Sequence, residues 1–169
     1  TMLAQQIART VLGVDEVILD TIDTQVGSAG STSASRQTWM SGGAVQVACQ
    51  AALSQLFDHV ATKFEMTRSE LEIDGTDIVD RLTQRRVSVS DAISEIEIDC
   101  TEEYHHPPTE DLDENGQGNC HVAYAFVAHR AVVDVDPELG LIKVVQIATA
   151  QDVGRVLNPL AAMGQIEGG

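Results

Sequence analysis

At 169 residues the chain has room for one domain with a sizeable core, and 43% apolar content with a mean hydropathy near zero suits a globular fold. Its 26 acidic and 10 basic residues leave a formal charge of -16, which argues against nucleic acid and anionic membrane as partners, because phosphate is repelled by such a surface. No apolar run reaches the roughly 18 residues of a membrane span and no signal-peptide pattern opens the chain, so a cytoplasmic location is expected.

Helical periodicity begins at once, with Leu3, Ile7 and Val11 on one face, and Gly13 is placed to stop that helix. Glu16 to Asp20 alternates as a short strand does. The stretch Gly27 to Thr38 then combines glycine, alanine, serine and threonine with one arginine, and leads into an apolar helical pattern. Small residues let a backbone approach a ligand, hydroxyls supply donors, and free N–H groups at a helix start attract an anion. The stretch therefore reads as an anion-binding loop, with a flexible linker as the alternative.

A helix is predicted from about Arg36 to Val60, its stripe formed by Val45, Ala48, Cys49, Ala52, Leu53, Leu56 and Val60. Gly42 and Gly43 in its first turns each disfavour a helix by about 1 kcal/mol relative to alanine, which implies close approach by another backbone or a ligand. Cys49 reads as a small buried apolar residue. With Cys100 and Cys120 it makes an odd set without CxxC spacing, which fits a reducing compartment better than a disulfide framework or a zinc site.

Further on, Leu71 to Asp74 reads as a strand closed by an Asp74-Gly75 turn, with Arg85 to Val89 as its second arm. Ser90 is expected to cap a short helix through Ile93, and Ile96 to Cys100 alternates as a strand. Residues 101–118 are acidic and loop-like. The adjacent His105 and His106 point apart on an extended chain and have no third ligand at a set spacing, so no metal site is expected there. Val122 to Asp136 and Leu141 to Thr149 form a predicted hairpin across Asp136-Pro137-Glu138-Leu139-Gly140; Asp134 and Asp136 lack the spacing of a calcium loop. Asn158-Pro159 opens a last helix, which carries Gln165, an amide able to donate to and accept from a heterocycle. Both ends of the chain resemble cuts within a larger domain.

Two motifs in this order carry a resemblance that covers nearly the whole chain. Ser28 to Arg36 with Ala44-Val45-Gln46-Val47-Ala48-Cys49-Gln50, and Asp152-Val153-Gly154 followed by Asn158-Pro159 and Gly164-Gln165-Ile166-Glu167-Gly168-Gly169, resemble the molybdenum-binding subunit of bacterial xanthine dehydrogenases, in the xanthine dehydrogenase/aldehyde oxidase family. The resemblance implies an α+β fold, a two-layer mixed sheet with packed helices, residues 1–169 being part of a larger cofactor-binding domain. It implies a molybdopterin, as such or as its cytosine dinucleotide, whose molybdenum takes no ligand from a protein side chain. Ala34, Ser35 and Thr38 match the loop that contacts the pterin, and Gln165 matches the family's cofactor-contacting glutamine.

The implied activity is hydroxylation of a purine ring carbon. Electrons would pass to 2Fe-2S and FAD groups in partner domains or subunits of an oligomer, and the rest of the molybdenum subunit would complete the site. The Gly-Glu-Pro segment that carries the family's general base does not occur in these 169 residues, so no catalytic residue is expected here and the isolated chain is expected to be inactive. Two alternatives stand beside this reading: a related hydroxylase acting on aldehydes, nicotine-like heterocycles or carbon monoxide, and a cofactor-binding module without catalysis.

Overall fold

The computed structural model describes residues 2–20, 23, 25, 27, 28 and 30–169, and the chain divides into two compact units, Thr1–His106 and Pro107–Gly169. In the first unit, α1 (Met2–Leu12) ends where Gly13 takes φ +67° and donates its N–H to the Arg9 carbonyl at 2.9 Å, the left-handed stop its sequence position predicts. The chain after it forms no strand. Residues 16–20 lack a ladder partner among the described residues, and the Gln5 amide holds this segment by donating to the Val17 carbonyl at 3.0 Å. Alternation without a neighbouring strand is insufficient to make a sheet.

Helix α2 (Gly42–Phe64) follows a π-helical turn, Gln37–Ser41. It runs one turn past the predicted end because Ala61 and Phe64 still pack against the core, and it stops where Glu65 turns left-handed at φ +51°. The two glycines at its start have found neighbours, but these are side chains. A Cβ on Gly42 would stand 2.9 Å from Ile7 Cδ1 of α1, and one on Gly43 would stand 2.7 Å from the Tyr104 ring.

Strands β1 (Leu71–Asp74), β2 (Asp77–Asp80) and β3 (Arg86–Ser88) form an antiparallel sheet in that order. Asp74 pairs with Asp77 across the turn at Gly75, which has φ +64°. The predicted second arm is thus the third strand, and β2 is the arm that pairs with β1. Its Ile78 and Val79 are both buried, so the segment shows no period-two signal. Ser88, two residues before the predicted cap, accepts the Asp91 N–H at 3.0 Å and opens α3 (Val89–Ile93). Ile96 and Ile98 pack against the core without forming the expected strand.

The core joins Leu56, Phe57 and Val60 of α2 to Met66, Leu71, Ile78 and Ala92. Val60, Ile78 and Ala92 are completely buried; sequestering a valine or isoleucine side chain stabilises by roughly 1.5–3 kcal/mol. Asp80 is buried among them and remains satisfied, since its carboxylate accepts N–H groups from Leu82 at 2.9 Å, Thr83 at 3.0 Å and Thr67 at 3.3 Å. Those backbone donors, Thr83 first, hold its pKa below the ordinary carboxylate value despite burial.

The second unit begins with the acidic loop, folded around Asp113, whose carboxylate accepts N–H groups from Gln117 at 2.7 Å and Asn115 at 2.9 Å and is held below its usual pKa by them. Then β4 (Phe126–Asp136) pairs antiparallel with β5 (Leu141–Asp152). The ladder starts four residues later and ends three residues later than predicted, and a bulge opposite Val132/Val133 leaves Val145 as the extra residue. Asp136 accepts the N–H groups of Glu138 and Leu139 at 3.0 Å, and Gly140 has φ +66°, so the carboxylate belongs to the turn. Helix α4 (Pro159–Gly168) closes the unit, with Asn158 accepting the Ala161 N–H at 3.0 Å. The α+β class is as expected, while the described strands make two antiparallel sheets in place of a mixed one.

Candidate functional site

Small side chains leave residues 30–35 exposed, and hydroxyls supply most of the polar side-chain groups there. Gly30 adopts φ +80°, and its N–H donates to Ser28 Oγ at 3.2 Å. The Ser31 and Ser33 hydroxyls lie 2.9 Å apart. Ala34 adopts φ +54°, a left-handed conformation disfavoured by its Cβ, and strain of this kind concentrates where a loop is shaped to hold something.

The chain then enters the helix. The Arg36 N–H donates to the Ser33 carbonyl at 3.4 Å and the Trp39 N–H to the Ser35 carbonyl at 3.1 Å. The first full turn is π-helical, with the Gly42 N–H reaching the Gln37 and Trp39 carbonyls, and such widened turns recur at functional sites. No side chain caps this start, and no carboxylate occurs between Gly27 and Ser41, so the positive end of the helix dipole is unopposed by residues of that stretch. Arg36 is the one charged residue there, a single cation in a chain of net charge -16.

Ala34, Ser35 and Thr38 all lie at this loop-to-helix junction and all are exposed. No described residue hydrogen-bonds the Ser35 or Thr38 hydroxyl, so both have donors and acceptors to give. Gln165 belongs to the second unit, where it is exposed on α4; the Gly169 N–H donates to its backbone carbonyl at 3.1 Å and its side-chain amide faces solvent. The sequence places Arg36 in the anion-binding loop and at the start of the helix. Its side chain folds back over the loop, with Nη1 donating to the Ser31 carbonyl at 3.3 Å.

Other candidate ligands are accounted for locally. His105 sits 3.5 Å from Glu103 as an exposed pair, and Asp136 serves its turn. Among the described residues no group of three or more His, Cys, Asp or Glu side chains is gathered to hold a metal ion. Cys49, Cys100 and Cys120 are free thiols; Gln55 donates to Cys100 Sγ at 3.2 Å, and burial pushes the Cys49 pKa up.

Residues 1–169 match the sequence profile of a family described as a molybdopterin cofactor-binding domain. The chain is also similar to the nicotine 6-hydroxylase large subunit of Paenarthrobacter nicotinovorans, at 28% identity over 175 residues covering 100% of this chain and 21% of that protein. It thus spans about a fifth of the length of this curated relative. The donor set suits such a cofactor: exposed hydroxyls and helix-start N–H groups match a phosphate and the polar edge of a pterin, while soft thiolate ligands are not called for because the dithiolene belongs to the cofactor.

Proposed function

Because the chain belongs to the molybdopterin cofactor-binding domain family, we propose that Ala34, Ser35 and Thr38 hold a molybdopterin, or its cytosine dinucleotide, in a molybdenum hydroxylase of N-heterocycles. Gln165 of the second unit is a further residue assigned to molybdopterin binding, and residues 1–169 form part of a larger cofactor-binding domain. The observation that carries this reading is the junction at 34–38: a left-handed alanine, two unengaged hydroxyls and a π turn, with Arg36 as the only charge. When bound, the molybdenum supplies an oxidising centre at which a ring carbon gains oxygen from water and gives up two electrons.

This chain's own share is binding and orientation. The Ser35 and Thr38 hydroxyls donate to the cofactor's oxygens, and the helix start stabilises its negative charge. Iron-sulfur and flavin groups in partner subunits receive the electrons, within a cytoplasmic oligomer; no described helix is long and apolar enough to cross a membrane. A purine such as xanthine is the substrate that the motif text favours. A second substrate, a pyridine heterocycle, is favoured by the relative's name as a nicotine hydroxylase.

The test is cofactor content in the complete enzyme. Ser35→Ala with Thr38→Val lowers molybdenum and pterin per chain about tenfold or more, since hydrogen bonds to charged groups contribute roughly 1.5–3 kcal/mol each. Unchanged content would refute the assignment. Steady-state oxidation of xanthine against nicotine separates the two substrates, and the isolated chain supplied with cofactor turns over neither.

A further inference from the structure

The loop is closed on itself by one side chain. Arg36 is half-buried although residues 30–35 are all exposed. Its Nη1 donates to the Ser31 carbonyl at 3.3 Å, and its guanidinium lies so near Gly30 that a Cβ there would stand 2.9 Å from Nη2, 3.0 Å from Cζ and 3.2 Å from Nη1. Glycine is favoured at position 30 by φ +80°, and the guanidinium occupies the space that the missing Cβ leaves.

We propose that Arg36 is a positioning residue that, seated against Gly30, clamps the 30–36 loop in the shape that receives the molybdopterin. This rests on the reading of the loop given above. The side chain spans the chord of the loop, tying Ser31 to the first residue of the helix, and so sets the separation between the loop's two ends. Ala34 and Ser35 lie on the arc between them. A serine-rich arc without the tie would sample many backbone states, and the cofactor would have to order it on binding. A planar guanidinium suits the task, because it can lie flat against a glycine while directing an N–H at a carbonyl; a lysine ammonium has no such plane.

The experiment is a double-mutant cycle in the complete enzyme, reading molybdenum and pterin per chain, with thermal unfolding and limited proteolysis of cofactor-free protein alongside. Gly30→Ala and Arg36→Ala are each expected to lower cofactor content about tenfold, a loss comparable to one charge-assisted hydrogen bond. The loss in the double variant should fall short of the sum of the two single losses, the part due to φ +80° at position 30 being independent of the arginine, and Arg36→Lys should not restore occupancy. Cofactor-free Arg36→Ala should be cut faster within residues 27–36 while its unfolding temperature is unchanged.

Full retention by Arg36→Ala, additive losses in the double variant, or complete rescue by lysine would each overturn the clamp. If Arg36→Ala does not fold, Arg36→Lys decides instead: retained occupancy overturns the clamp. Loss of occupancy in Ser35→Ala but not in Arg36→Ala rejects the clamp alone. Retention in Ser35→Ala, Thr38→Val and Arg36→Ala together rejects the cofactor loop itself.

Discussion

Ile78 in β2 and Ile142 in β5 are the same residue type, each in an antiparallel ladder, yet the first has no exposed surface and the second keeps 69% of its own. The difference runs through both units. In the first, Leu71, Ile73, Ile78 and Val87 of the three strands join residues of α2 and α3 in the core. In the second, Val133, Val135, Ile142, Val144 and Ile147 share one face of the hairpin by register and all remain exposed. A regular ladder therefore does not by itself indicate a core. Backbone hydrogen bonds and a well-made turn suffice to define β4 and β5, whereas burial contributes most of the favourable free energy of the first unit.

The largest expected effect sharpens that contrast. Ile78→Ala should lower the stability of the first unit by about 2–5 kcal/mol, read from the urea midpoint, because it removes a fully buried side chain from between α2 and the sheet. A loss equal to that of Ile142→Ala would break the comparison. Next comes Gly43→Ala. Alanine is intrinsically the better helix former by about 1 kcal/mol, but its Cβ would meet the Tyr104 ring at 2.7 Å. Overpacking against an aromatic ring should win, leaving a net loss of about 1–3 kcal/mol that Tyr104→Ala reverses in the double variant.

Asp80 gives the comparison a pH axis. Its folded pKa is lowered, so the unfolded chain binds the proton more readily, and stability from this group is complete above the unfolded carboxylate pKa. It is then lost as pH falls through the lower folded pKa. Asp80→Asn should flatten the acid limb of the first unit's stability profile, followed by circular dichroism between pH 6 and about 2. An unchanged acid limb would show that the three backbone donors do not stabilise the ionised form.

Local rules made much of this legible in the sequence. Gly13, Gly75, Gly140 and Asn158-Pro159 each sit where the backbone requires them, because caps and turns depend on residues within four positions of one another. What was misread depends on distant partners. Glu16 to Asp20 alternates but has no strand beside it among the described residues, and β2 lacks alternation because both of its faces are covered. At the candidate site the hydroxyl-rich loop was visible as composition. The π turn, the left-handed Ala34 and the return of Arg36 onto Gly30 were not, since each is set by how several residues close together in space.

The smallest effect is the one on which the contrast between the units turns. Ile142→Ala should change stability by no more than about 0.5 kcal/mol, read from the urea midpoint, as expected for an exposed position with no buried contact to lose. Its backbone would still pair, since Val135 and Ile142 stand opposite each other whatever their side chains. Hydrogen exchange then supplies the independent reading. Amides of β4 and β5 should exchange faster than those of α2 around Val60 in the same sample, because opening the hairpin exposes little that was not already in water. Equal protection in both places would mean that the face carrying Val133, Val144 and Ile147 is covered in solution, and each unit would then be stabilised by the same kind of burial.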